Sequence, residues 1–162
     1  MKGLDLEGFT SNLDWRQFEA FAELAFRSFG FRTIRNYRLK KPRMEIDLVA
    51  FRDGMAFAVD CKHWKRTVGY SAMTHVGERQ IVRSKHILKK EPVDRVVPVI
   101  LTWHDELLEI LENGVPVVPI QKISDFILNW ESSAGEIVIL SKQNNEEDEE
   151  KSARNATQAT LF

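Results

Sequence analysis

Apolar residues recur along the chain with two different periods, and each period predicts a different element. Between Asp14 and Gly30, Phe18, Phe21, Ala22, Ala25, Phe26 and Phe29 repeat at the spacing of one helical face. Asp14 followed by Gln17 is the capping box that opens such a helix, Leu13 is placed to staple onto Phe18, and Gly30 supplies the stop. Glu19 and Glu23 lie one turn apart beside the apolar stripe, with Glu19 flanked by core positions. From Glu45 to Lys62, in the stretch EIDLVAFRDGMAFAVDCK, the period changes to two. Asp53-Gly54 between the two alternating runs is a hairpin signal, a two-residue turn with positive φ at both centres.

Such a turn sets the register. With Arg52 opposite Met55, Phe51 meets Ala56, Val49 meets Ala58, Asp47 meets Asp60 and Glu45 meets Lys62. Ile46, Leu48, Ala50, Phe57, Val59 and Cys61 then share one apolar face. The opposite face is apolar near the turn and carries Glu45, Asp47, Asp60 and Lys62 at its far end.

Elsewhere, Phe31–Tyr37 predicts a strand and Arg38–Arg43 a basic loop leading into the hairpin. Ser71–Leu88 predicts a helix interrupted at Gly77, and Arg95–Leu101, a continuous apolar run, predicts a buried strand. His104–Glu112 has the pattern of an amphipathic helix ended by Asn113-Gly114. Val115–Ile120 predicts a strand whose Pro116 and Pro119 suit a sheet edge. Ile123–Trp130 predicts a short helix capped by Ser124, and Glu136–Leu140 a last strand. A hairpin followed by strand–helix–strand order predicts an α/β domain, a mixed sheet flanked by helices.

At 162 residues the chain can bury the core of one domain and still carry a tail. No apolar run approaches the roughly 18 residues of a membrane span, and no charged-then-apolar leader opens the chain, so the expectation is a cytoplasmic protein without a membrane partner. Cys61 is the only cysteine, which excludes an internal disulfide, and its place on the apolar face predicts a buried small hydrophobe. His63, His75, His86 and His104 show no ligand pairing on one helix face.

The net charge of −1 conceals an asymmetry. From Gln143 onward, Glu146, Glu147, Asp148, Glu149 and Glu150 outweigh Lys151 and Arg154, which leaves the rest of the chain positive. The segment lacks core formers, so 1–142 is expected to be the domain, 143–157 an acidic disordered linker and 158–162 a separate tail. Arg27, Arg32, Arg35, Arg38, Lys40, Lys41 and Arg43 follow one another with no acid among them, and Arg79, Arg83, Lys85, Lys89 and Lys90 form a second group. Basic clusters beside carboxylates suit a polyanion such as DNA, held through its phosphates. Arg38, Lys40, Lys41 and Arg43, with Lys65 and Arg66 just past the hairpin, are the candidate contacts; Trp64 between them suits either stacking or packing.

The chemistry concentrates in the hairpin. Directly opposed carboxylates such as Asp47 and Asp60 destabilise a sheet unless something compensates. Three arrangements do so: one acid stays protonated, a divalent cation sits between the two, or the cluster is solvated and neutralised by salt bridges with Lys62.

The ordered set of a helical Glu19, a basic loop, Asp47 on one strand and Asp60-Cys61-Lys62 on the next resembles the catalytic pattern of the PD-(D/E)xK nuclease superfamily, the restriction-endonuclease-like fold. FEAFAELAFRSFGF resembles the first helix of Mrr-type restriction endonuclease domains and of archaeal Holliday junction resolvases, and VVPVILTWHDELLEILENGVPVVPIQKISDFIL resembles the second half of Mrr-type domains. Ile46 stands where the family pattern has Pro, Asp60 where Glu is common, and RLKKPRME where Mrr-type domains have Gly-rich spacing. The resemblance implies a magnesium- or manganese-dependent deoxyribonuclease acting in restriction or repair. Asp47 and Asp60 would be the metal ligands, Glu19 would reach the metal directly or through water, and Lys62 would position the attacking water. Gln80 corresponds to an extra polar residue that some relatives carry near the metal.

The chain end QATLF resembles the first part of a sliding-clamp-binding peptide, with Gln158 and Leu161 matching and the chain stopping at Phe162 before a second aromatic. A sliding clamp is therefore an expected partner beside DNA. Two further functions stay open on the sequence: a structure-specific junction nuclease, which needs a homodimer to cut two strands symmetrically, and a non-catalytic DNA-binding or clamp-associated module.

Overall fold

The computed structural model of the chain describes residues 14–63, 68–103, 108–143 and 150–155. Helix α1, Trp15–Ser28, starts as its sequence dictates: the Gln17 N–H donates to Asp14 Oδ1 at 2.9 Å, and the Asp14 N–H donates to Gln17 Oε1 at 2.7 Å. Gly30 at φ +82° lets the chain reverse into strand β1, Arg32–Lys40. β1 runs antiparallel to β2, Arg43–Arg52, and the Asp53-Gly54 turn, with φ of +50° and +73°, returns it as β3, Met55–Lys62. The expected register is observed from Arg52–Met55 to Leu48–Val59. The expected basic loop is mostly strand: β1 and β2 stay paired out to Lys40–Arg43, so only Lys41 and Pro42 turn.

Helix α2, Tyr70–Lys90, crosses the sheet to β4, Arg95–Thr102, which lies parallel to β3. No break occurs at Gly77, contrary to expectation, because the glycine serves packing instead. A Cβ there would come within 2.8 Å of Asn113 Nδ2 and 3.0 Å of Leu111 Cδ1. Asn113 is itself tied to Thr74 O and to the Val115 N–H, so it cannot move aside freely. Gly77→Leu is expected to cost about 1–3 kcal/mol of stability through overpacking, read as a lowered urea midpoint at unchanged slope.

The expected helix ending at Glu112 is corrected over its described part. Glu109–Ile110 is strand β5, antiparallel to β6, Pro116–Pro119, and Asn113-Gly114 is the turn between them, with Gly114 at φ +81°. β6 is consequently interior, parallel to β4 and covered by β5, and its two prolines sit at its ends. A 3₁₀ turn, Ile120–Lys122, leads into α3, Ile123–Asn129, and a second one, Trp130–Ser133, follows; Lys122, not Ser124, occupies the cap position. β7 is shorter than expected, Leu140–Ser141, and pairs with the start of β4.

The described strands form one mixed sheet in the order β1-β2-β3-β4-β6-β5, with β7 beside β4. α1 and α3 cover one face, where Phe18, Phe26, Phe57, Phe126 and Trp130 meet, and Phe57 has four aromatic neighbours at ring-centroid distances of 5.4–5.8 Å. α2 covers the other face, packing Ile87 and Leu88 on Val49, Ala56 and Ala58, and Met73 and Val76 on Ile100. Residues 150–155 are helical and exposed. No described helix is long and apolar enough to cross a membrane.

Candidate active site

Regular side-chain alternation breaks once along the hairpin, at the position of Asp47. Leu48 and Ala50 pack under α1, whereas Ile46 packs with Val49 and Phe51 under α2, which corrects the expectation that Ile46, Leu48 and Ala50 share a face. The same break occurs opposite, in β1, between Ile34 and Tyr37. Pairing passes from Arg35–Leu48 directly to Tyr37–Ile46, and Asn36 takes a left-handed conformation at φ +49°. β2 also leaves β3 here, since no pairing extends past Leu48–Val59. In place of a ladder bond, the Cys61 N–H donates to Asp47 Oδ2 at 2.7 Å.

Asp60 lies on the α2 side of the parting and is buried, at 2% exposure. Two cations flank it: Arg83 Nη1 donates to Oδ1 at 2.9 Å, and Lys62 Nζ stands 2.8 Å from Oδ2. The Lys62 contact is an ion pair outside hydrogen-bond geometry, so Oδ2 is a buried oxygen without a hydrogen bond. Gln80, fully buried, fixes this corner by donating from Nε2 to Ala58 O at 2.7 Å and accepting from Arg83 at 3.3 Å.

From the other face α1 brings Glu19, 6% exposed, whose Oε2 meets Arg35 Nη2 at 3.4 Å. Burial raises the Glu19 carboxyl above its ordinary range against the opposing pull of Arg35. Asp47 is pushed up to about 6, first by burial and then by the negative charges of Asp60 and Glu19, while the Cys61 N–H and Lys62 pull the other way. Burial and the Asp47 charge hold the Cys61 thiol protonated well above the ordinary thiol range, as suits a packed residue rather than a nucleophile. His63 packs its ring 5.0 Å from Trp103 and 6.5 Å from Phe18.

Among the described residues no group of three or more His, Cys, Asp and Glu side chains is arranged to hold a metal. Asp47 and Asp60 are the two carboxylates that would hold one: Asp47 uses Oδ2 alone in its backbone bond, and Asp60 Oδ2 makes no hydrogen bond, its neighbour being the Lys62 ammonium at 2.8 Å. That set fits a hard divalent cation, which takes one or two carboxylates and completes its shell with water and phosphate oxygens.

Arg38, Lys40 and Arg43 line an open cavity of about 690 Å³ at the β1–β2 tip together with Leu39, Met44 and Glu45, and Arg38 is paired to Glu45 at 3.0 Å. Lys41 is exposed in the turn. Lys65, Arg66, Gln158, Leu161 and Phe162 lie outside the described residues, as do Leu13, Trp64 and His104. Sequence reasoning missed Arg83 as the partner of Asp60 and Arg35 as the partner of Glu19. The one available signal was that Arg83 follows Gln80 by three positions on a helix face.

Residues 10–88 match the Mrr_cat family model, described as a restriction endonuclease. The matched span contains α1, the hairpin with Asp47, Asp60 and Lys62, and α2 as far as Leu88. Comparison with curated proteins gives no match. Among solved structures, a protein of unknown function, AF1548, aligns at 19% identity and a TM-score of 0.40 over 68% of this chain and 54% of its own, so the chain spans about half its length. The small subunit, R.BspD6I2, of the heterodimeric restriction endonuclease R.BspD6I aligns at 15% identity and a TM-score of 0.43, over 82% of this chain and 75% of that one.

Proposed function

We propose that this chain is a DNA endonuclease that hydrolyses phosphodiester bonds with a divalent cation, magnesium or manganese, in restriction or DNA repair. Asp47 and Asp60 hold the cation, Glu19 supports it and Lys62 serves the attacking water. The observation that carries the reading is the parting of β2 from β3 at two acids, one with a buried oxygen that has no hydrogen bond and one whose ionisation its neighbours oppose. The restriction endonuclease match over these residues supports the reaction class.

When bound, the cation supplies Lewis-acid polarisation of a phosphoryl oxygen and a water of lowered pKa. The remaining roles belong to the chain. The Cys61 N–H fixes the orientation of the Asp47 carboxylate, and the strands on either side make that orientation rigid. Lys62, three-quarters buried beside Asp60, orients a water through its ammonium protons and offsets charge developing on the phosphate. Glu19, held by Arg35, adds negative charge to the cation site from the opposite face. Among the described residues the last strand of the sheet is β7, which supports a nuclease domain within 1–142 and a connector beyond it.

The test is incubation with plasmid, single-stranded, flap, junction and methylated DNAs in magnesium, manganese or EDTA. Cleavage in either metal and none in EDTA is the expected result. Binding without cleavage in every condition would overturn the assignment in favour of a non-catalytic DNA-binding module. Replacing Lys40, Lys41 and Arg43 together by alanine is expected to weaken DNA binding whatever its sequence. The slope of log affinity against log salt should fall by about one for each phosphate that the variant no longer neutralises. An unchanged slope in a filter-binding titration would place the β1–β2 tip away from the DNA.

A further inference from the structure

A second cavity, of about 430 Å³, opens between the start of β2 and α2 and is lined in part by Arg83, the partner of Asp60. Arg43, Met44 and Glu45 form one wall, and Glu78, Arg79, Val82 and Arg83 the other. Arg79 and Arg83 stand one helical turn apart, an arrangement of like charges that costs a helix a few tenths of a kcal/mol and is relieved by an anion. Both acids of the cavity are engaged elsewhere, Glu45 with Arg38 at 3.0 Å and Glu78 with His75 at 3.1 Å. Arg43 and Arg79 have no ion-pair partner among the described residues. Met44 and Val82, the latter 45% exposed, line the same cavity, so it offers positive charge and apolar surface together.

Arg83 belongs to this cavity and to the active site at once. Its Nη1 is committed to Asp60 Oδ1 at 2.9 Å and to Gln80 Oε1 at 3.3 Å. A guanidinium has five donors in a planar fork, so a phosphate can bind the free edge first and then compete with Asp60 for the other.

We propose that this cavity is a subsite for a backbone phosphate of a nucleic-acid strand, neighbouring the bond that is cut, gripped by Arg43, Arg79 and Arg83, with the adjoining sugar against Met44 and Val82. The proposal rests on the reading of Asp47 and Asp60 as the nuclease centre. One consequence follows from the shared guanidinium. A phosphate that draws Arg83 away from Asp60 frees Oδ1 for a divalent cation, so strand binding and cation binding strengthen each other by the same factor.

The experiment is fluorescence anisotropy of labelled single-stranded and duplex oligonucleotides with the full chain in EDTA, where no cleavage intervenes. Lys122→Ala, on the α3 side, is the control. Arg79→Ala, which removes an exposed side chain without an ion-pair partner among the described residues, is expected to weaken binding roughly tenfold and to lower the salt slope by about one. Arg83→Lys keeps a charge on Asp60 should Arg83→Ala melt early. Calorimetric titration of Mn²⁺ completes the test: Arg83→Ala should bind the ion more tightly than wild type without DNA and gain less when oligonucleotide is added.

Wild-type affinity and slope in Arg79→Ala overturn the subsite even if the protein cuts DNA. Weakened binding by Arg79→Ala, in a chain that cuts nothing, keeps the subsite and removes the nuclease centre instead. Protection of wild type but not Arg79→Ala by inorganic phosphate, with no oligonucleotide bound, assigns the cavity to a free anion and overturns the strand. An Mn²⁺ affinity indifferent to both Arg83 and DNA overturns the coupling.

Discussion

Asp60→Asn is expected to reduce cleavage in magnesium by on the order of a thousandfold, because it deletes a charge aimed at the reacting centre from a site closed to bulk water. The substitution keeps the shape of the side chain and one oxygen, so Arg83 retains an acceptor. It also leaves two cations around a neutral group, so a lowered melting temperature with preserved far-ultraviolet dichroism belongs to the expected result. Lys62→Ala probes the same corner from the other side, with less disturbance, since Arg83 still neutralises Asp60. Removing a group that orients or deprotonates the water should cost roughly a hundredfold or more in plasmid nicking. Wild-type rates in both variants would remove Asp60 and Lys62 from the reaction.

Asp47→Asn should do two opposite things: abolish cleavage and stabilise the protein. The Asp47 carboxyl titrates at about 6 in the folded chain, above its ordinary 3.8, first because of burial and then because of Asp60 and Glu19. Below pH 4 both the folded and the unfolded chain carry the proton, and Asp47 contributes nothing. Between 4 and 6 the unfolded chain releases the proton while the folded chain keeps it, so stability falls as pH rises. Above 6 the full penalty is present, at most about 3 kcal/mol, reduced where solvent reaches the group. Asparagine removes the penalty and can still accept from the Cys61 N–H. Melting curves from pH 4 to 8 should show the variant gaining on wild type as pH rises and converging with it at the acid end. A constant difference across that range would show that Asp47 does not titrate there. The same titration predicts that divalent-cation affinity weakens as pH falls through 6, since the proton and the cation compete for one carboxylate.

The features legible in the sequence were those decided by local chemistry. A capping box and a glycine bounded α1, and Asp53-Gly54 set the hairpin register as far as Leu48–Val59, because both signals act within a few positions, whereas the expected pairs Asp47–Asp60 and Glu45–Lys62 do not form. Asn113-Gly114 was read as a helix stop although it closes a hairpin; that dipeptide signals either, and Glu109–Ile110 is too short to display a period of two. Gly77 looked like a helix breaker because a sequence shows the missing Cβ but not the Asn113 side chain that needs its space. The acids and the lysine of the candidate site were visible since they interrupt apolar strands. Arg35 and Arg83 were not, because each reaches its acid across layers of the fold, and a basic residue on a helix or an edge strand reads as surface charge. The inversion of faces at Asp47 was hidden for a related reason: hydrophobic residues lie on both sides of it, so the written pattern remains apolar throughout.

That inversion divides the hairpin into a handle and a blade. On the handle side of Asn36 and Asp47, β2 is clasped between β1 and β3 and its residues are locked between helices. On the blade side, β1 and β2 pair only with each other among the described strands, Tyr37, Leu39 and Ile46 root the ribbon under α2, and the tip carries Lys40, Lys41 and Arg43. Exchanges at the exposed tip, Lys40–Arg43, leave the clasp around Asp47 unchanged, and the Cys61 N–H still holds the carboxylate from β3. The grip on a substrate is therefore free to diversify while the cutting edge stays put, and exchanging the Lys40–Arg43 tip, with Tyr37, Leu39 and Ile46 kept, is a direct route to retargeting the protein.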